Sequence, residues 1–510
     1  MGSNLSSCLS RSRDRCQVRM SQSVPSKREQ FHPLMEDGPA DIVFMGGDIL
    51  TMDDKNPQVE ALAVKGEQIL AVGKYSDIES KIKKGYTEIV NLGGKTLLPG
   101  FIEAHQHAIF LAIANFLFTD IAGYSRDRHL RTAAEVRDII SAKVSQAKPG
   151  EWCMFLGWDI ELIRDLPELS ADYIDDNFSK DVPIVILAQT AHSAWVNHKT
   201  FNVCNITETT PNPPGGTYVK DSNGKLTGQL LEESAISSVV SKYPKSAGMF
   251  IEGAKAVHDQ WRDYAMTGFT TVSEMDYRPE LIQDLFISAT AGMIDCPIRL
   301  ALYRNVESKT EPHIIESSKL WLAGVKYWAD GSPHAGTAAI NEPYLHNDLT
   351  KRLSFPPSPT NNGHLDWSDK DLFQSMKHYH DQGKQIAIHA QGGRAIQQGL
   401  NVYKQLTKAE DDRRHRIEHA GLITEDQLQM CREIGVTTSM FVYHLYFYGN
   451  TLAQYILGPE QTDRWAPTAT AIKYLGADKI SIHQDHPFFP GPPMPFANMR
   501  PLQFDVLFHE

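Results

Sequence analysis

Polar and apolar positions change their rhythm twice along this 510-residue chain. Up to about Gln30, Ser, Arg and Gln dominate and no apolar face repeats, so that stretch predicts no packed element. From Asp41 the chain runs in short β-rich segments, DIVFMGGDIL, ALAVKGEQILAVG and EIVNLGGKTLLPG, punctuated by the glycine pairs that hairpins use. After Phe101 short apolar runs alternate with longer amphipathic stretches, the signature of βα units on a parallel sheet. Strand candidates fall at 101–107, 269–275, 298–303, 324–330, 385–391, 416–420, 436–442 and 480–485. That makes eight, the number that closes a (β/α)8 TIM barrel. A long insertion, about 108–267, separates the first two and carries its own apolar run, PIVILA. PPSPTNNGH (356–364) reads as a loop.

Composition narrows the class. With 41% hydrophobic and 22% charged residues the chain can bury a sizeable core. Its net charge of −12 argues against nucleic acid as a partner, because phosphate contacts need clustered Lys and Arg. The longest apolar stretch, Ile109–Phe118, is half the ~20 residues a spanning helix needs, so no transmembrane segment is expected. Six cysteines (Cys8, Cys16, Cys153, Cys204, Cys296, Cys431) form no CxxC pair and read as reduced thiols of a cytoplasmic protein. The opening MGSNLSSC fits M-G-x-x-x-[ST], with Gly2 as myristoyl acceptor and Cys8 available for palmitate. A lipidated N-terminus in peripheral membrane contact therefore competes with a plain disordered tail, or with a start at Met20.

The candidate chemistry is in the histidines. His105 and His107 sit two apart on a strand, so both imidazoles share one face and can reach one metal ion. Alone, HxH is weak, but this one ends the first barrel strand, at the rim where barrel enzymes gather their reacting groups. Lys326, His389, His419 and Asp485 fall at comparable places on the fourth, fifth, sixth and eighth strands. His389 and His419 are 30 residues apart, one βα unit, and His419 and Asp485 are 66 apart, two units. No GxSxG elbow or ordered Cys/His pair supports a serine or cysteine hydrolase.

LLPGFIEAHQH, GVKYWADG, IAIHAQGGRA, RIEHA and HQDHP resemble the metal signature of the amidohydrolase superfamily, in the branch that includes N-substituted formamide deformylase. In the insertion, GWD, AHSAWVN and PPGGTYVKDSNGKLTGQLLE match the same branch. The resemblance spans about residues 41–490 and implies a barrel with a small β-sandwich built from both chain ends. The domains would be an N-terminal tail (1–38), the first part of the sandwich (39–98), the barrel (99–490) and a short tail (491–510). It also implies one or two divalent ions, usually zinc, activating water to hydrolyse an amide, formamide or related C–N bond of a small molecule. His105 and His107 would hold one ion beside Asp485, and His389 and His419 the other. Lys326 would bridge them as a carbamate, or else pair a carboxylate such as Asp330. A divalent ion lowers the pKa of bound water from 15.7 to about 7, and Asp485 would carry the proton to the leaving nitrogen. Imidazole ligation suits zinc better than magnesium or calcium.

His192, Trp328 and Tyr443 are candidate substrate contacts, His192 with an equal claim as a structural residue. Arg416 and Glu418 read as an ion pair supporting the site rather than as catalysts. FVYHLYFYG (441–449) suggests either a bulky ligand or helix packing. His483 and His486 bracket Asp485 where relatives carry small residues. Relatives also continue past HQDHPFFPGPPMP through further helix and sandwich strands, which leaves the sandwich incomplete here. Homo-oligomerisation would cover the gap, and a catalytically impaired binding or regulatory protein is the alternative reading.

Overall fold

A computed structural model describes residues 38–124, 128–148, 150–213, 216–244, 247–279, 283, 287, 296–408, 412–486, 494–496 and 499. The chain separates into two units between Pro99 and Gly100. In the first, β1 (Ile42–Leu50), β2 (Gln58–Lys65) and β3 (Gln68–Gly73) pair antiparallel in succession, while β4 (Glu88–Asn91) and β5 (Thr96–Leu97) both run parallel to β1. Val43, Ala61, Ala63 and Ile78 form its small core. Only one expected hairpin turns on glycine: Gly66 (φ +56°) begins the two-residue link from β2 to β3. Gly46–Gly47 instead lies inside β1, where the register on β2 slips between Met45 and Ile49. A Cβ on Gly47 would stand 2.1 Å from the Lys95 carbonyl oxygen, so glycine there serves a close backbone approach. One sheet is present among the described residues of this unit. The facing layer of a sandwich is not among them.

The second unit begins with β6 (Phe101–Gln106) and its helix, Ala108–Leu117. The insertion then builds a separate six-stranded sheet from β7 (Thr119–Asp120), β8 (Cys153–Trp158), β9 (Ile184–Ala188), β10 (Ser193–Val196), β11 (Thr217–Lys220) and β12 (Leu226–Leu231). PIVILA supplies β9, whose five residues are all buried. Its unbroken apolar run reflects sheet faces covered on both sides.

The remaining strands are β13 (Phe269–Tyr277), β14 (Arg299–Asn305), β15 (Leu320–Trp328), β16 (Gln385–Ala390), β17 (Arg416–His419), β18 (Thr437–Met440) and β19 (Ile480–Ile482). With β6 they make one parallel eight-stranded sheet in chain order, β6 at one edge and β19 at the other. All eight candidate strands are therefore present in the anticipated order. The ribbon comes round nearly to closure: the His107 N–H donates to the His486 carbonyl (3.0 Å), and the His486 N–H to Gln106 Oε1 (2.8 Å). Helices such as Gly393–Leu406 and Glu425–Ile434 cover the sheet, burying Ile386, Ile388, Ile417, Leu400 and Leu428 between the layers. No helix among the described residues is long and apolar enough to cross a membrane. Four described cysteines, Cys153, Cys204, Cys296 and Cys431, are buried thiols without a disulfide.

Candidate metal centre

β6 turns inward at its end, and Glu103 through His107 are all buried. The two-residue period delivers both histidines to the barrel mouth. His105 Nε2 lies 3.4 Å and His107 Nε2 3.3 Å from Asp485 Oδ1. Ligand atoms of these three residues all fall within 4.8 Å of one another. Lys326 Nζ is 3.4 Å from His105 Nε2, and His419 Nδ1 is 3.8 Å from Asp485 Oδ2. The ring of His419 is 4.4 Å from that of His389 and 4.6 Å from that of His105, centre to centre. Thus the six side chains singled out from sequence converge, although His105 lies on β6 and Asp485 follows β19, the two edge strands of the sheet.

Backbone strain marks the same place. His419 (φ +71°), Ala420 (φ +50°) and Asp485 (φ +55°) all adopt the left-handed region. Non-glycine residues hold such conformations only where the surroundings compel them.

Burial sets the protonation states. It pushes the His389 imidazole down to about 3, helped by Lys326, and holds those of His105 and His419 well below their usual value. They are therefore neutral, the form that ligates a metal. Burial also lowers the Lys326 ammonium, against the pull of Glu418 and Asp485, toward the neutral amine that carboxylation requires. For Asp485 burial acts upward, yet the hydrogen bond and charge of His107, with His483 and Lys326, hold the carboxyl below its usual range. Both nitrogens of His419 and Nδ1 of His389 are buried with no hydrogen-bond partner among the described residues. Lone pairs left this way are costly unless a cation takes them. The donor set fits a divalent ion.

The surrounding groups fix which nitrogen faces the cluster. Glu418 Oε2 sits 2.6 Å from His105 Nδ1, so the carboxylate accepts that N–H and leaves Nε2 to the cluster. Arg416 clamps Glu418 through Nε (2.7 Å) and Nη2 (2.9 Å), confirming them as a supporting ion pair. His389 Nε2 donates to the Gly331 carbonyl (3.1 Å), which leaves Nδ1. Asp330 does not pair with Lys326. It accepts the backbone N–H groups of Ala339, Gln391 and Gly392 instead, fixing the loop after β15.

Trp328 roofs the centre, its ring 4.6 Å from that of His389 and 4.4 Å from Lys326 Nζ. His192 lies farther out, Nδ1 3.0 Å from Glu232 Oε2, on the wall of a cavity it shares with Trp158, Glu161 and His334. The Tyr443 hydroxyl accepts from Gln484 Nε2 (2.7 Å), and Phe441, Val442, His444 and Tyr448 are buried, so much of the aromatic run serves packing. His483 stacks between His105 (4.5 Å) and Phe441 (4.9 Å), while His486 closes the barrel. Gly2 and Cys8 lie outside the described residues.

Sequence reasoning missed Glu274 and Asp276, two apart at the end of β13. Burial raises Glu274 to about 7 while its Oε2 accepts the Ile109 N–H (2.8 Å). Asp276 accepts from Asn305 Nδ2 (2.6 Å) and Arg278 Nε (3.0 Å). The two-residue spacing that exposed HxH was legible in SEMD as well. Glu161, His334 and His444, linked across 173 and 110 residues, carried no local signal.

One consequence concerns acid. Burial depresses the His483 imidazole to about 3, so the unfolded chain takes up its proton first as pH falls. The stability contributed by keeping it neutral is full above about 6.5 and is lost progressively down to about 3. In chelator-treated protein, thermal midpoints are expected to fall between pH 7 and 4. His483→Gln should flatten that fall, and an unchanged slope would show that this histidine titrates normally.

The amidohydrolase family model matches residues 88–506. The chain is 28% identical over 427 residues to Protein LONG AFTER FAR-RED 3 of Arabidopsis thaliana, covering 80% of this chain and 68% of that one. It is 24% identical to the N-substituted formamide deformylase of Arthrobacter pascens, covering 78% and 72%. An uncharacterized metal-dependent hydrolase of Pyrococcus horikoshii superposes with a TM-score of 0.68 at 21% identity, over 90% of this chain and 85% of that one.

Proposed function

The chain belongs to the amidohydrolase family, a family of metal-dependent hydrolases, and from that premise we propose that it cleaves a C–N bond, amide or formamide, in a small molecule. The observation that carries the reading is the convergence of His105, His107 and Asp485 within 4.8 Å, with unpartnered His389 and His419 nitrogens beside them. A relative named N-substituted formamide deformylase, at 24% identity, supports the bond type. In this reading His105, His107 and Asp485 would hold one ion and His389 and His419 a second, and a carbamate on Lys326 would supply a shared anionic ligand. Zinc is the ion we assign, because imidazole dominates the donor set.

A bound ion would supply Lewis acidity and hydroxide at neutral pH. The residues do the rest. The depressed carboxyl of Asp485 stays ionised, ready to accept the proton of attacking water and return it to the nitrogen as the C–N bond breaks. Carboxylic acid and amine leave together. Trp328 shields the mouth, which strengthens every charge interaction beneath it. The retained ligand set favours a working enzyme over an inactive scaffold. Cytoplasmic location belongs to the same proposal.

The test is metal content and turnover on one preparation. As-purified protein should contain one to two equivalents of transition metal and hydrolyse members of an N-substituted formamide and amide panel. Chelation should remove activity and added zinc restore it. Metal-free protein with full activity would refute the reading.

A further inference from the structure

We propose that the cavity walled by Trp158, Asp159, Glu161, Gln189, His192 and His334 receives the group carried on the scissile nitrogen, and that it takes a substituent ending in an amine or other strong N–H donor. This rests on the C–N reading above and names its substrate class.

Position comes first. The walls are the end of β8, the turn from β9 to β10, the loop after β15 and Tyr448 of the helix Tyr443–Thr451 after β18. All but the first two follow barrel strands, on the face where such barrels bind substrate. The wall is tied to the metal centre directly: Gly331, three residues before His334, accepts the hydrogen bond from His389 Nε2 (3.1 Å).

The polar groups of the cavity are built in place. Glu161 and His334 are each at least nine-tenths buried, and both Glu161 oxygens lie 2.9 Å from His334 Nδ1. His334 Nε2 continues to His444 Nδ1 at 2.9 Å, their rings stacked, and His444 Nε2 meets Gln391 Nε2 at 3.2 Å. Gln391 stands two residues from His389 on the chain. Asp159 accepts the N–H groups of Glu161 (2.8 Å) and Leu162 (3.1 Å) and the Tyr448 hydroxyl (2.6 Å). These acceptors cannot swing to suit an arbitrary guest.

Chemistry then selects the guest. A hydrocarbon would lie against two carboxylates and return no hydrogen bond or charge to them. An anion would face two carboxylates, while the guanidinium on the wall, Arg352, is engaged by the Leu166 carbonyl (2.6 Å). A protonated amine would meet the carboxylates of Asp159 and Glu161 in a cavity also lined by Trp158 and Trp195.

The experiment uses matched substrates, N-(3-aminopropyl)formamide and N-butylformamide, with holoenzyme. It adds calorimetric binding of the corresponding amines, propane-1,3-diamine and butylamine. The amino substrate should win in kcat/KM by at least about 100-fold. The diamine should bind at least about tenfold tighter, and Glu161→Gln should shrink both ratios. His192→Leu, on a half-exposed wall, repeats the comparison should Glu161→Gln misfold. Equal kcat/KM and equal binding would overturn the subsite while leaving C–N hydrolysis standing. Tight diamine binding with neither formamide cleaved would support the subsite and sink the formamide reading. Neither cleavage nor selective binding would overturn both.

Discussion

Asp485→Asn is expected to lower kcat/KM on any cleaved substrate by at least about 10³-fold while leaving the fold intact. The size follows from two losses at once: general acid–base transfer contributes about 10²–10⁴-fold, and a carboxylate ligand becomes a neutral amide. The fold should survive because Asp485 occupies left-handed backbone (φ +55°), which asparagine adopts as readily as any residue but glycine. An unchanged thermal midpoint with collapsed turnover is thus the expected pair of readings. His105→Ala should match the loss and also reduce bound metal, since His105 Nε2 faces both Asp485 and Lys326. Asp485→Asn protein with wild-type turnover would remove the proton carrier from the proposed mechanism.

Glu418→Ala is expected to be the most damaging single change for stability, by about 3–5 kcal/mol, the usual cost of removing one partner from a buried ion pair. Glu418 is fully buried, and its loss strands the Arg416 guanidinium, only 11% exposed, beside an unheld His105 ring. Denaturant midpoints measure the effect. Glu418→Gln separates its parts: an amide oxygen still accepts the His105 Nδ1–H, but the charge that balances Arg416 is gone. Stability should fall for both variants, metal retention chiefly for alanine. If alanine were tolerated within about 0.5 kcal/mol, the range of ordinary surface substitutions, the clamp would carry no weight.

The strand pattern and the ligand residues were legible because they are local. QIAIHAQ and RIEHA announce buried strands by composition, and HxH works through a period of two that any strand imposes. The order of eight strands around the barrel follows from the handedness of βα connections, so residues ending successive strands must approach one another. Local pattern misled at Gly46–Gly47, where glycine serves a bulge in β1 rather than a turn.

What the sequence alone determined, then, is the barrel and the kinds of side chain at its mouth, since periodicity and residue chemistry act over a few positions. Only the tertiary structure decided which nitrogen each histidine presents, that Glu418 grips His105 across 313 residues, and that Glu161 and His334 meet on a cavity wall. Those pairings depend on distances set by the nearly closed sheet and the insertion beside it, and no short stretch of chain encodes them.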